Sequence, residues 1–168
     1  LAMKHPGKLD LDFRERPKVP STFPNGCHIA EVEIEPETGE VEIVSYLACD
    51  DAGNLINHQI VEGQMQGGIT QGAGHIFHEQ AVYDSSGQLL TGSFMDYAMP
   101  RPGLVGGLRL SEHPVPTATN PLGAKGVGEA GVTGSMPCLM NAVMDALRQA
   151  GVTHFDMPAS QERVWRAI

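Results

Sequence analysis

Glu129 stands among glycines in Gly126-Val127-Gly128-Glu129-Ala130-Gly131, where small neighbours leave a carboxylate room to accept a proton. The same run matches G-x-G-x-x-G ahead of a helical pattern, which raises a dinucleotide-phosphate reading. That fingerprint needs a strand just before its first glycine, and Thr119-Asn120-Pro121-Leu122-Gly123-Ala124-Lys125 makes a poor one; only 37 residues follow Gly131. A nicotinamide-dinucleotide-binding domain is therefore a minor alternative, which an irregular approach to Gly126 would dismiss. What the composition supports is a loop with bare N–H groups at or near a helix N-terminus, suited to an anionic or oxyanionic ligand. On composition alone, the plainest role of Glu129 is to cap that helix. His75 and His78 lie three apart beside Glu79, and would share a metal only if a third ligand came from elsewhere. Solvated or hydrogen-bonded histidines are the simpler reading. Asp84 and Asp96 have no evident partner carboxylate, and no nucleophile elbow or P-loop is present. Cys27, Cys49 and Cys138 are far apart, form neither a disulfide framework nor a CxxC clip, and read as reduced, buried thiols of a cytoplasmic protein.

The elements that must hold these groups come from one chain of 168 residues, long enough for one globular domain with its own core. A formal net charge of −9 repels a phosphate backbone and argues against nucleic acid as a partner. No run approaches the ~18 to 20 apolar residues of a bilayer span. Charge is uneven: residues 1–18 carry a net +2, leaving −11 for the remainder. Residues 1–26 read as an arm or linker and 27–168 as the folded domain. The start at Leu1, with no initiator Met, suggests a piece of something longer.

From Cys27 onward, Ala30, Val32 and Ile34 alternate with Glu31, Glu33 and Glu35. A Pro36-Glu37-Thr38-Gly39 turn follows, and Val41, Ile43, Ser45 and Leu47 return on the inward side, predicting a β-hairpin. Asn54 to Asn57 supply loop and cap. From His58 to His78 the apolar residues Ile60, Met65, Ile69, Ala73, Ile76 and Phe77 have helical spacing. Gly63, Gly67, Gly68, Gly72 and Gly74 interrupt that helix at about 0.8–1.0 kcal/mol each, a cost normally offset by close approach of another backbone or of a ligand. A short second hairpin is expected at 81–83 and 88–90, and a strand around Leu108 and Leu110. Residues 113–134 form a long glycine- and proline-rich loop. A helix from Ser135, with Pro137 in its first turn, runs to Gly151 on a Met136, Leu139, Met140, Val143, Leu147 stripe. A last short helix from Ser160 would dock through Val164, Trp165 and Ile168. The fold class is α+β: β-hairpins packed with two long helices and a long glycine/proline-rich loop.

Two stretches, VEGQMQGGITQGAGHIFHEQAVYDSSGQLLTGSFMDYAMPR (Val61 to Arg101) and NPLGAKGVGEAGVTGSMPCLMNAVMDAL (Asn120 to Leu147), resemble the C-terminal part of a much longer protein. That protein is the molybdenum-binding large subunit of the xanthine dehydrogenase, aldehyde oxidase and aerobic carbon monoxide dehydrogenase family. The similarity extends from about Gly26 to about Ala150. It implies a C-terminal molybdopterin-binding domain over residues 27–168. Glu129, in the place of the family's KGVGE-type glutamate, would be the catalytic base, partly buried. It would take a proton from a water-derived oxygen that attacks an aldehyde or N-heterocycle, or serve in oxidation of carbon monoxide. Lys125, Gly126, Val127 and Gly128 match the stretch that wraps the pterin, mainly through backbone groups, and Gln71 matches a glutamine that hydrogen-bonds the cofactor. The glycine excess of 63–74 would then face a bulky cofactor.

The resemblance further implies molybdenum-molybdopterin, with the cytosine dinucleotide as one form. Its implied partners are the rest of the molybdenum-binding subunit, iron–sulfur and FAD domains or subunits in an oligomeric complex, and a small-molecule substrate. The family's other cofactor-binding segments are absent from these residues, so the chain alone is expected to be an inactive fragment unable to hold the cofactor tightly. The competing reading is a non-catalytic interaction or scaffold domain of the same fold, with Glu129 only capping a helix.

Overall fold

The computed structural model describes residues 14–168; most of the basic arm lies outside them. Strand β1 (Asn25–Glu35) and strand β2 (Glu40–Asp51) form an antiparallel hairpin, and β3 (Leu108–Glu112) pairs in parallel with β2, giving the order β1-β2-β3. The hairpin turns at Gly39, whose φ of +75° and contact with the Gln161 carbonyl and Trp165 leave no room for a Cβ. Helix α1 (His58–Phe77) packs along α2 (Ala130–Gln149), α2 rests on β1, and α3 (Gln161–Ala167) touches β2. The architecture is α+β, with two long helices over one face of the sheet.

The hairpin differs from its sequence pattern in one respect that matters for the site. Glu31 pairs with Ser45, but Val32 pairs with Ile43, so Val44 is an extra residue on β2. Such a bulge inverts the inward and outward phase of the strand. Ile43 is buried as expected, but beyond the bulge Tyr46 and Ala48 are buried, while Leu47 is turned outward instead of inward.

Helix α1 starts where the cap residue predicts, the Asn57 side chain accepting from the Ile60 N–H at 3.1 Å. Its glycines divide into two groups. A Cβ on Gly68 would lie 2.9 Å from the Val132 nitrogen, and one on Gly131 would lie 2.7 Å from the Met65 carbonyl oxygen, so α1 and α2 meet backbone to backbone. Gly63 and Gly67 face nothing within 4 Å. That close crossing also explains why α2 begins at Ala130, not Ser135. Glycines at 131 and 134 are poor helix formers, but packing overrides propensity here, and the Thr133 N–H donates to the Glu129 carbonyl at 2.9 Å. Pro137 therefore lies inside the helix.

The expected second hairpin is reduced to a single Tyr83–Leu89 bridge, because Asp84 turns the chain onto its own backbone, its carboxylate accepting from the N–H groups of Ser86 and Gln88 at 2.8 and 2.9 Å. In α3 only Val164 is buried; Trp165, next to it in the chain, falls on another face and is exposed, and Ile168, the residue past the end of the helix, is exposed as well. Tyr46, Ile69, Ile76, Leu139, Val143, Leu147 and Val164 form the centre of the core. Among the described residues, no helix is long and apolar enough to cross a membrane.

Candidate active site

The loop that carries Glu129 is anchored at its entrance by Lys125. The Lys125 N–H donates to the Ala52 carbonyl at 2.9 Å, and its ammonium lies 2.5 Å from Asp51 Oδ2, both side chains under a tenth exposed. Asp51 Oδ1 accepts from the Gly53 and Val115 N–H groups, each at 2.9 Å. The Lys125 ammonium, with the Val115 N–H next in importance, holds the Asp51 carboxyl down at about 2. One carboxylate thus ties the end of β2 to both ends of the long loop. No strand leads into Gly126: β3 ends at Glu112, and Ala124 makes only an isolated bridge to Gly53. The dinucleotide-fingerprint reading is therefore dismissed.

Gly126, Gly128 and Glu129 edge a cavity of about 710 Å³ between the start of β1 and one face of α2. Glu129 occupies the N-cap position of α2 but makes no side-chain cap hydrogen bond, so the capping role is not taken up. Its carboxylate enters no ion pair among the described residues, and it is exposed, not partly buried as expected. Gly126 and Gly128 have open space where a Cβ would stand. Val127 instead points down, packing on the core and lining a neighbouring cavity with Met65.

Behind this cavity lies a group of residues that the sequence reading did not single out. His28 is 4% exposed at its side chain, with Nδ1 2.7 Å from the Tyr46 hydroxyl and Nε2 3.0 Å from Asp50 Oδ2. The carboxylate can only accept, so Nε2 carries a proton, and in the neutral ring Nδ1 accepts from the Tyr46 O–H. Burial pushes the Tyr46 hydroxyl far above its ordinary pKa, and the nearby Cys138 adds to this; burial likewise raises the Cys138 thiol. Gly134 makes the room: a Cβ there would collide with the His28 ring. The signal was present, since His28 shares the inward parity of Ala30, Val32 and Ile34. Tyr46 was hidden by the bulge.

Gln71 does not share this cavity. It opens onto a groove of about 530 Å³ along α1, with Gly63, Gly67, His75 and Glu79. Glu79 has a side chain 10% exposed, and its Oε2 is buried without a hydrogen-bond partner; His75 Nε2 is 3.2 Å away but is not aligned to donate. Among the described residues no three His, Cys, Asp or Glu side chains are grouped to hold a metal. The three cysteines are free thiols as expected, but none is buried: Cys27 is exposed, and Cys49 and Cys138 are intermediate. Cys27 lies on the edge strand β1 and lines the cavity that opens between that strand and α2.

Residues 5–104 match the model of a molybdopterin cofactor-binding domain. The chain is 38% identical to the carbon monoxide dehydrogenase large chain of Hydrogenophaga pseudoflava, over 97% of this chain and 20% of that one. It is 39% identical to the nicotine 6-hydroxylase large subunit of Paenarthrobacter nicotinovorans, over 86% and 18%. Among solved structures, quinoline 2-oxidoreductase from Pseudomonas putida 86 superposes with a TM-score of 0.82 at 37% identity, covering 86% of this chain and 18% of that one. A Cu,Mo-CO dehydrogenase does so with a TM-score of 0.82 at 34% identity and the same coverage. The chain spans about a fifth of the length of the curated relatives it matches.

Proposed function

The chain belongs to the molybdopterin cofactor-binding domain family, and from that premise we propose that it supplies the general base, Glu129, of a molybdenum hydroxylase. The observation that carries this reading is a carboxylate that, among the described residues, has no cap bond and no ion pair, edging a cavity at the start of a helix just after Gly128. A carboxylate held in that way is free to accept a proton.

The residues present fit the cofactor. A pterin needs bare backbone to lie against and polar atoms with no other partner. Gly126 and Gly128 provide the first beside Glu129, and Gly63 and Gly67 provide it beside Gln71. Glu79 Oε2, beside His75, is a buried polar atom with no hydrogen bond among the described residues. The Lys125 N–H is already given to Ala52 and the Gly126 N–H to Thr22 Oγ1, so the backbone of Val127 and Gly128, with the open face of Gly126, would hold the group beside Glu129 while Lys125 anchors their loop; the Gln71 amide would reach it from the separate groove along α1. When bound, molybdenum supplies the two-electron redox chemistry. Glu129 accepts the proton of a water-derived oxygen as that oxygen attacks the carbon of an aldehyde or N-heterocycle, or serves in oxidation of carbon monoxide. Asp51 and Lys125 fix the loop, and the Tyr46–His28–Asp50 chain stiffens the cavity wall.

Relatives named as a large chain and a large subunit support a place in a multi-subunit assembly; in this reading the assembly is cytoplasmic, and iron–sulfur and FAD modules remove the electrons. The cofactor in this reading is molybdopterin, with the cytosine dinucleotide as one form, and the isolated chain does not retain it. In the complete enzyme, Glu129→Gln should leave folding and molybdenum content unchanged and lower kcat by about 10²- to 10⁴-fold, the usual contribution of a general base. Near-wild-type turnover by that variant would remove Glu129 from the mechanism and favour a scaffold role.

A further inference from the structure

We infer that Cys27 and Cys49 form a reversible disulfide when the protein meets a peroxide. The two residues are paired directly across the antiparallel β1–β2 ladder. Directly opposed residues in such a ladder have Cα atoms roughly 4.5–5.5 Å apart and share one face, within the window of about 4.4–6.8 Å that a disulfide spans. That face is the outward one: Tyr46 and Ala48 on β2 are buried, and their neighbour Leu47 is exposed. Both sulfurs are free thiols, and Cys27 is exposed to an oxidant. The third thiol, Cys138, sits on α2 beside Tyr46, lines the cavity together with Cys27 and is near enough to feel that sulfur, so it is the competing partner, but it stands in no strand register with Cys27. The ladder therefore selects Cys49 as the partner.

The chemistry balances with hydrogen peroxide as the named oxidant. The Cys27 sulfur attacks one peroxide oxygen, the O–O bond breaks, and a sulfenic acid and one water result. The Cys49 sulfur then attacks the Cys27 sulfur and expels the hydroxyl as a second water, so two thiols lose two electrons and the peroxide gains them. Because Cys27 also lines the cavity that Glu129 edges, the bridge would tie one wall of that cavity to the central strand. The inference rests on strand register and not on the family reading.

The test uses the protein in its native assembly. It is treated with hydrogen peroxide, free thiols are blocked with N-ethylmaleimide under denaturing conditions, and peptides are mapped with and without dithiothreitol. The expected product is a single linked peptide pair, Cys27 with Cys49, lacking two hydrogens and released by dithiothreitol, with Cys138 still alkylated. Cys138→Ser should leave the link intact, whereas Cys49→Ser should leave a Cys27 sulfenic acid that dimedone traps. A Cys27–Cys138 link, a link between two chains, or unreacted Cys27 and Cys49 would each overturn the inference.

Discussion

The wall behind Glu129 and the groove beside Gln71 use similar side chains but are finished to different degrees. At the first, Asp51 has a partner at each oxygen and His28 has one at each ring nitrogen. Along the second, two helix glycines face empty space and a buried carboxylate oxygen has no hydrogen bond. An unmade bond at a buried polar atom costs about 1–3 kcal/mol, so a chain keeps one where something outside it completes the pair. The cavity is thus held in shape by this chain itself, whereas the groove is shaped to be completed.

The contrast between the glycines at the α1–α2 crossing and those on the open face of α1 is the sharpest place to test this. Gly131→Ala, which drives a Cβ against the Met65 carbonyl, should cost about 1–3 kcal/mol in denaturant unfolding, because backbone on both sides must shift. A neutral result would mean that the helix crossing is looser than described. On the sheet side, Tyr46→Phe strands a ring nitrogen of His28 and should lose about 1–3 kcal/mol by the same measurement. If stability is unaffected, the wall is not braced through that chain.

Gly63→Ala and Gly67→Ala should move the other way, each raising the stability of the chain by about 0.5–1 kcal/mol while weakening cofactor retention in the assembly, measured as molybdenum per protein. Alanine that destabilises there as it does at Gly131 would erase the distinction between the two faces. A separate test is a shift in acid unfolding. The Asp51 carboxyl is lowered from 3.8 to about 2, so the stability it contributes is complete above the unfolded value and fades as pH falls through the folded one. Circular dichroism of Asp51→Asn should lack the part of the acid transition between about pH 4 and pH 2 that the parent protein shows.

Much of the framework was legible from residues close together in the chain. The Asn57 cap, the apolar spacing from Ile60 to Phe77 and the Gly39 turn each act within a few residues, and each stands where the pattern puts it. The start of α2 was not legible, because what lets Gly131 enter a helix is the Met65 carbonyl and Gly68 on another helix. The outward turn of Leu47 was equally hidden, since a bulge is a property of two paired strands and not of either alone. Among the site residues, Glu129 and its glycines were marked by composition and by the KGVGE motif. Their separation from Gln71 into two cavities was not, because motif spacing carries no information about which side of a helix pair each segment reaches.

By itself, then, the amino-acid order determined the elements, their caps and the glycine-flanked carboxylate, because periodicity and backbone freedom are short-range. Only the folded chain decided that Lys125 would be consumed by Asp51, that His28 would be clasped by Tyr46 and Asp50, and that Glu129 would be left without an ion pair among the described residues. Partners so far apart in sequence are chosen by how strands and helices cross, and an ion pair or hydrogen bond forms only where that crossing brings its two ends within about 3 Å.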